Sequence, residues 1–132
     1  VRIVFKDWAI FGQPSIEAAR RALAAKYQGK DQAFDDALMQ IQGKLSSEKI
    51  RAAADQAGVD WQRLESDLKS HGKEIDAALA RADRQAGMLG ISGTPAMFVG
   101  PYLVAGALSP EQLRQAVAIA RQYPNGNAPE AR

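Results

Sequence analysis

Apolar positions along the chain follow two different rhythms. Over residues 14–89 they recur every three or four positions, the period of helices with one buried face. At residues 1–5 and 96–105 they come in short, dense runs, the pattern of strands. Val1-Arg2-Ile3-Val4-Phe5 alternates imperfectly and is rich in β-branched residues, so a strand is expected there. A loop with apolar anchors Trp8, Ile10 and Phe11 follows, and Pro14 suits the first turn of a helix. Ile16, Ala19, Leu23 and Tyr27 mark that helix's face. A second row, Ala18, Ala22 and Ala25, is small enough for another element to approach closely.

Glycines and caps divide the rest. Gly29 breaks the first helix. Asp31 is a plausible cap for the second, with Phe34, Ala37, Leu38 and Ile41 on one face and Gly43 at its end. Ser46 caps a third with face Ile50, Ala53, Ala54 and Ala57, and Leu45 is placed to staple onto Ile50. Gly58 stops it. Asp60 caps a fourth, with Trp61, Leu64 and Leu68 inward and Val59 as the staple partner of Leu64. Gly72 is expected to separate it from a longer helix carrying Ile75, Ala78, Leu79, Ala82, Ala86 and Leu89. Gly90 ends that one, since glycine accepts the left-handed conformation there.

Gly93-Thr94-Pro95 then makes a tight corner into the apolar run Ala96–Val99. A proline at the mouth of a strand cannot donate to the ladder, and only X-Pro bonds adopt cis at low cost. A cis Thr94–Pro95 bond is therefore expected, turning the backbone of Gly93 and Thr94 outward to pair with an extended peptide. Gly100-Pro101 turns the chain into a second strand around Tyr102–Ala105. Ser109-Pro110-Glu111-Gln112 is a strong helix start, with Leu113, Ala116, Val117 and Ala120 as the buried stripe. Pro124 ends the helix, and 125–132 reads as a mobile tail. The opening strand and the final pair are expected to share one sheet, with the helices between them as a cap.

Composition narrows the chemistry. The 132 residues are 46% hydrophobic and 24% charged, with a net charge of +2. This suits one globular domain with a real core and argues for neither nucleic acid nor a membrane span. Cysteine is absent, so the chain forms no disulfide, exchanges none and offers no thiolate to a metal. His71, the sole histidine, reads as a surface residue at a helix break. Lys6 and Asp7 follow the first strand and read as its solvated end, with proton transfer as the sharper alternative. Glu17, Asp35, Asp36, Glu65 and Asp67 read as surface charge. Met39, Met88 and Met97 read as single core fillers. The chain opens inside an apolar run, as if cut within a domain.

Val1 to Gly12, Ser15 to Ala25, Leu89 to Gly100 and Val104-Ala105-Gly106-Ala107 resemble the DsbA family of thiol:disulfide oxidoreductases, in its branch of small bacterial proteins. The likeness runs to about Gln122, and the Gly-Thr-Pro corner with its strand is its most specific piece; the family more often has proline where Ala9 stands. It implies an α/β fold: a thioredoxin-like sheet remnant in residues 1–13 and 90–124, with an all-helical cap inserted at 14–89. In the family a strand and a Cys-x-x-Cys helix precede the equivalent of Val1–Phe5, a unit of roughly 30 residues. The strand lies between the equivalents of Val1–Phe5 and Ala96–Val99, and each buried backbone group left unpaired costs on the order of 1–3 kcal/mol. A longer protein, a separate N-terminal fragment, or a homodimer joined through open sheet edges or swapped elements would each resolve this.

The resemblance implies a protein thiol:disulfide oxidoreductase or isomerase. This chain would contribute the substrate-binding residues Gly93, Thr94 and Pro95 and the cap, but no redox cysteine, no metal and no cofactor. Implied partners are protein or peptide thiols and disulfides, in a periplasmic or other extracytoplasmic setting. Two alternatives stand beside it. One is a glutathione-using relative of the kappa-transferase and chromene-carboxylate-isomerase type, which Tyr102-Leu103-Val104-Ala105-Gly106 does not match well. The other is a non-catalytic thioredoxin-like peptide-binding module.

Overall fold

The computed structural model describes residues 1–129. The elements run α1 (Gln13–Ala25), a 3-10 turn (Lys26–Gln28), α2 (Asp31–Met39), α3 (Ser47–Gln56), α4 (Trp61–Met88), β1 (Ala96–Val99), β2 (Tyr102–Ala105) and α5 (Pro110–Gln122). They form two units, Val1–Gln85 and Ala86–Arg132. Among the described residues no helix is long and apolar enough to cross a membrane.

The first unit is helical. Its core gathers Phe34 from α2, Ile50 from α3 and Leu64 from α4, all three fully buried, around the small residues Ala18, Ala24, Ala25, Ala53 and Ala54. Alanines on α1 let α2 and α3 come close, so the small row Ala18, Ala22 and Ala25 is buried, and of the larger row Ala19 is buried and Leu23 packs against the core. Ile16 and Tyr27, expected inward, are both 38% exposed. The caps follow local signals. Ser46 Oγ accepts from the Lys49 amide at 3.3 Å, and Asp60 Oδ1 accepts from the Arg63 amide at 3.0 Å. Asp31 is the first residue of α2, and Lys30 holds the cap position instead.

Two expectations fail here. Val1–Phe5 is not a strand. The sheet of the described residues has two strands, β1 and β2, and neither is paired with it. β-branched composition favours an extended backbone, but a ladder needs a neighbour to take its donors and acceptors. Gly72 does not break a helix either. α4 runs unbroken for 28 residues, because a glycine inside a helix costs only about 1 kcal/mol relative to alanine. Buried Ile75 and Leu64 flank it on the same helix.

The second unit is a hairpin with a helix. Ile91 donates its amide to the Ala86 carbonyl at 2.9 Å, closing the end of α4, and Gly90 supplies the positive φ of 68° that this closure needs. β1 and β2 are antiparallel, with Met97 opposite Val104 and Phe98 opposite Leu103. Met97, Val99, Tyr102 and Val104 are half-buried, whereas Phe98 and Leu103 on the other face are 45% and 42% exposed. α5 begins with a full capping box between Ser109 and Gln112. The Tyr102 hydroxyl donates to the Tyr123 carbonyl at 3.0 Å and accepts from the Ala128 amide at 3.2 Å. Of the expected tail 125–132, residues 130–132 lie outside the described residues.

Candidate functional site

The Gly93-Thr94-Pro95 corner sits between the close of α4 and the start of β1. The Thr94–Pro95 peptide bond is cis. Pro95 accepts from the Gly106 amide at 2.8 Å, which ties the corner to the far end of β2. Gly93 is half-buried, and Thr94 and Pro95 are exposed. Among the described residues no backbone partner is assigned to Gly93 or Thr94. A Cβ built on Gly93 would meet nothing within 4 Å. The corner therefore presents free peptide donors and acceptors beside open space, the groups that an extended chain pairs with.

The other candidates lie in the helical unit. Lys6 and Trp8, two residues apart on the opening segment, both reach α4. Lys6 Nζ donates to Gln85 Oε1 and Trp8 Nε1 to Asp83 Oδ1, each at 2.9 Å. Trp8 and Ile10 are half-buried, but Phe11 is 75% exposed and anchors no core. Asp7 is not a solvated strand end: burial pushes its carboxyl above the ordinary value. Asp35 is not simple surface charge either. Burial, then the negative charges of Asp7, Asp31 and Asp36, push it up to about 6. The sequence separation of Asp7 and Asp35 hid this relationship, and no local signal reveals it.

His71 lies in mid-helix rather than at a break. Its ring stacks on Tyr27, with centroids 3.9 Å apart and planes 12° from parallel, and Nδ1 is 3.7 Å from Glu74 Oε2. The stack fastens the 3-10 turn to α4. Met39 and Met88, expected in the core, are 84% and 86% exposed. Each is the final residue of its helix.

A helical unit, a two-stranded hairpin and a Gly-Thr-Pro corner entering its first strand are parts of the thioredoxin-like architecture that the sequence leads one to expect. The sequence profile of the DSBA-like thioredoxin domain matches residues 1–118, and the chain belongs to that family. Among solved structures it is similar to a thioredoxin-like oxidoreductase from Silicibacter pomeroyi, at 39% identity and a TM-score of 0.83, over 90% of this chain and 68% of that one. It is also similar to a thiol-disulfide exchange protein from Wolbachia pipientis, at 28% identity and a TM-score of 0.82, over 87% and 63%. A periplasmic thioredoxin-like protein from Salmonella enterica serovar Typhimurium matches at 25% identity and a TM-score of 0.68, over 86% and 62%. The chain thus spans roughly two thirds of the length of these three. No curated protein sequence matches it.

Proposed function

We propose that these residues serve a protein thiol:disulfide oxidoreductase or isomerase, with Gly93, Thr94 and Pro95 as the substrate-binding corner and residues 14–89 as a helical cap. The observation that carries this reading is the unpartnered backbone of half-buried Gly93 and exposed Thr94 in a chain of the DSBA-like family. Exchange proceeds by attack of a thiolate on a disulfide sulfur through a mixed disulfide. This chain has no thiol, so its part is to hold the substrate backbone extended while thiols from outside these residues react. Substrates are cysteine-bearing peptides or proteins in an extended conformation. An extracytoplasmic setting belongs to the same proposal, supported by the Salmonella relative described as periplasmic.

The test is a titration of the isotope-labelled chain with an unstructured peptide whose cysteine is S-methylated, so that binding is read without exchange. Amide signals of Gly93, Thr94 and Ala96 are expected to move and saturate. A peptide that leaves those three unmoved overturns the reading. Glutathione moving them where the peptide does not would transfer the site to the glutathione-using alternative.

A further inference from the structure

We propose that Met39 and Met88 are oxidant-accepting sites: surface thioethers that take oxygen from hydroperoxides without loss of the fold. The chain has no cysteine, so its three methionines hold its only sulfur atoms. Methionine usually fills gaps in apolar cores. Here Met39 is 84% exposed and Met88 86% exposed, and neither belongs to the hydrophobic cluster. Met97 differs: it is half-buried in β1, opposite Val104. The structure thus sorts the three by access.

The step balances without any further reagent. A lone pair on Sδ attacks one oxygen of the hydroperoxide, an S–O bond forms and the O–O bond breaks. The peroxide proton ends on the departing oxygen, which leaves as water or an alcohol. Sulfur is oxidised by two electrons and the peroxide is reduced by two. The product is a polar sulfoxide, which disrupts packing when it forms inside a core and is reversible by sulfoxide reductases. At Met39 and Met88 the new oxygen faces solvent, so no apolar contact is traded for it. Oxygen at Met97 would instead press into the half-buried face that it shares with Val104.

Dilute hydrogen peroxide added to the 132-residue chain, followed by intact mass and peptide mapping, tests this. Two oxygen atoms are expected on Met39 and Met88 before any on Met97, with helix content and the urea midpoint unchanged at that stage. The Met39→Leu/Met88→Leu double variant, altered only at exposed positions, is expected to lose the fast uptake. Oxidation of Met97 as early as the other two overturns the proposal. So does fast uptake that persists in the double variant, or unfolding at the two-oxygen stage.

Discussion

The indole N–H of Trp8 donates to Asp83 Oδ1 at 2.9 Å, joining residues 75 apart in sequence. Lys6 to Gln85 repeats the arrangement two residues earlier. The opening segment makes no ladder, so these side chains replace backbone pairing as its attachment to α4. Asp83→Ala should release Trp8 while leaving the helices intact. The expected cost is small, about 0.5–1 kcal/mol, because the bond is solvent-exposed and its partners regain water. The Trp8 indole N–H resonance should shift toward its solvent-exposed position, whereas that of Trp61 stays. Asp83→Asn keeps an acceptor and should hold Trp8 in place. A Trp8 signal unmoved in Asp83→Ala would show that the segment is held by other contacts.

Asp35 makes the helical unit sensitive to pH in a direction unusual for a carboxylate. Its folded value, about 6, lies above the unfolded 3.8. The fold therefore disfavours the ionised form. Stability is full where both states are protonated, below about pH 4, and is lost as pH rises towards 6. The group is half-exposed, so screening reduces the penalty to on the order of 1 kcal/mol. Asp35→Asn should raise the thermal midpoint at pH 7.5 and change it little at pH 4. Asp7, also raised by burial, should show the same sign. An Asp35→Asn variant destabilised equally at both pH values would contradict the assignment.

These effects divide along the line between local and tertiary information. Ser46, Asp60 and Ser109 were legible as caps because each bond they make spans three residues. The corner at Gly93-Thr94-Pro95 and the hairpin turn at Gly100-Pro101 were legible because glycine and proline mark turns within a few neighbouring residues. Val1–Phe5 was misread because composition reports a preference for extension, while strand formation needs a partner. Gly72 was misread because propensity is a weak prior against the packing of the flanking residues Leu64 and Ile75. The exposure of Met39 and Met88 and the influence of the Asp7 charge on Asp35 depend on how elements sit in space. Neither is written in any window of neighbouring residues.

Phe34 tests where the helical unit keeps its stability. It is fully buried, on the shortest α-helix of that unit, among alanines from α1 and α3. Alanines cannot swing into a void, so the cavity left by Phe34→Ala should stay open. The expected loss is about 3–5 kcal/mol, a large share of the roughly 5–15 kcal/mol that holds an ordinary domain folded. Phe34→Leu should recover most of it. Denaturant unfolding followed by far-UV circular dichroism measures both. A loss under 1 kcal/mol for Phe34→Ala would place the core elsewhere.

Two glycines of the second unit separate a structural role from a binding role. Gly100, at the turn between β1 and β2, has φ of 60°, and a Cβ there would lie 3.0 Å from Ala120 Cβ on α5. Gly100→Ala meets both a left-handed backbone, which costs an L-residue roughly 1–2 kcal/mol, and a neighbour that must give way. It should destabilise the hairpin by at least about 1 kcal/mol, read from the urea midpoint of the Tyr102 amide signal. Gly93 has no positive φ and nothing within 4 Å of an added Cβ. Gly93→Ala should therefore leave the midpoint within about 0.5 kcal/mol. Its new methyl stands beside the free backbone, so peptide affinity should fall while stability does not. Equal peptide binding by Gly93→Ala and the parent chain would leave that corner a turn and nothing more.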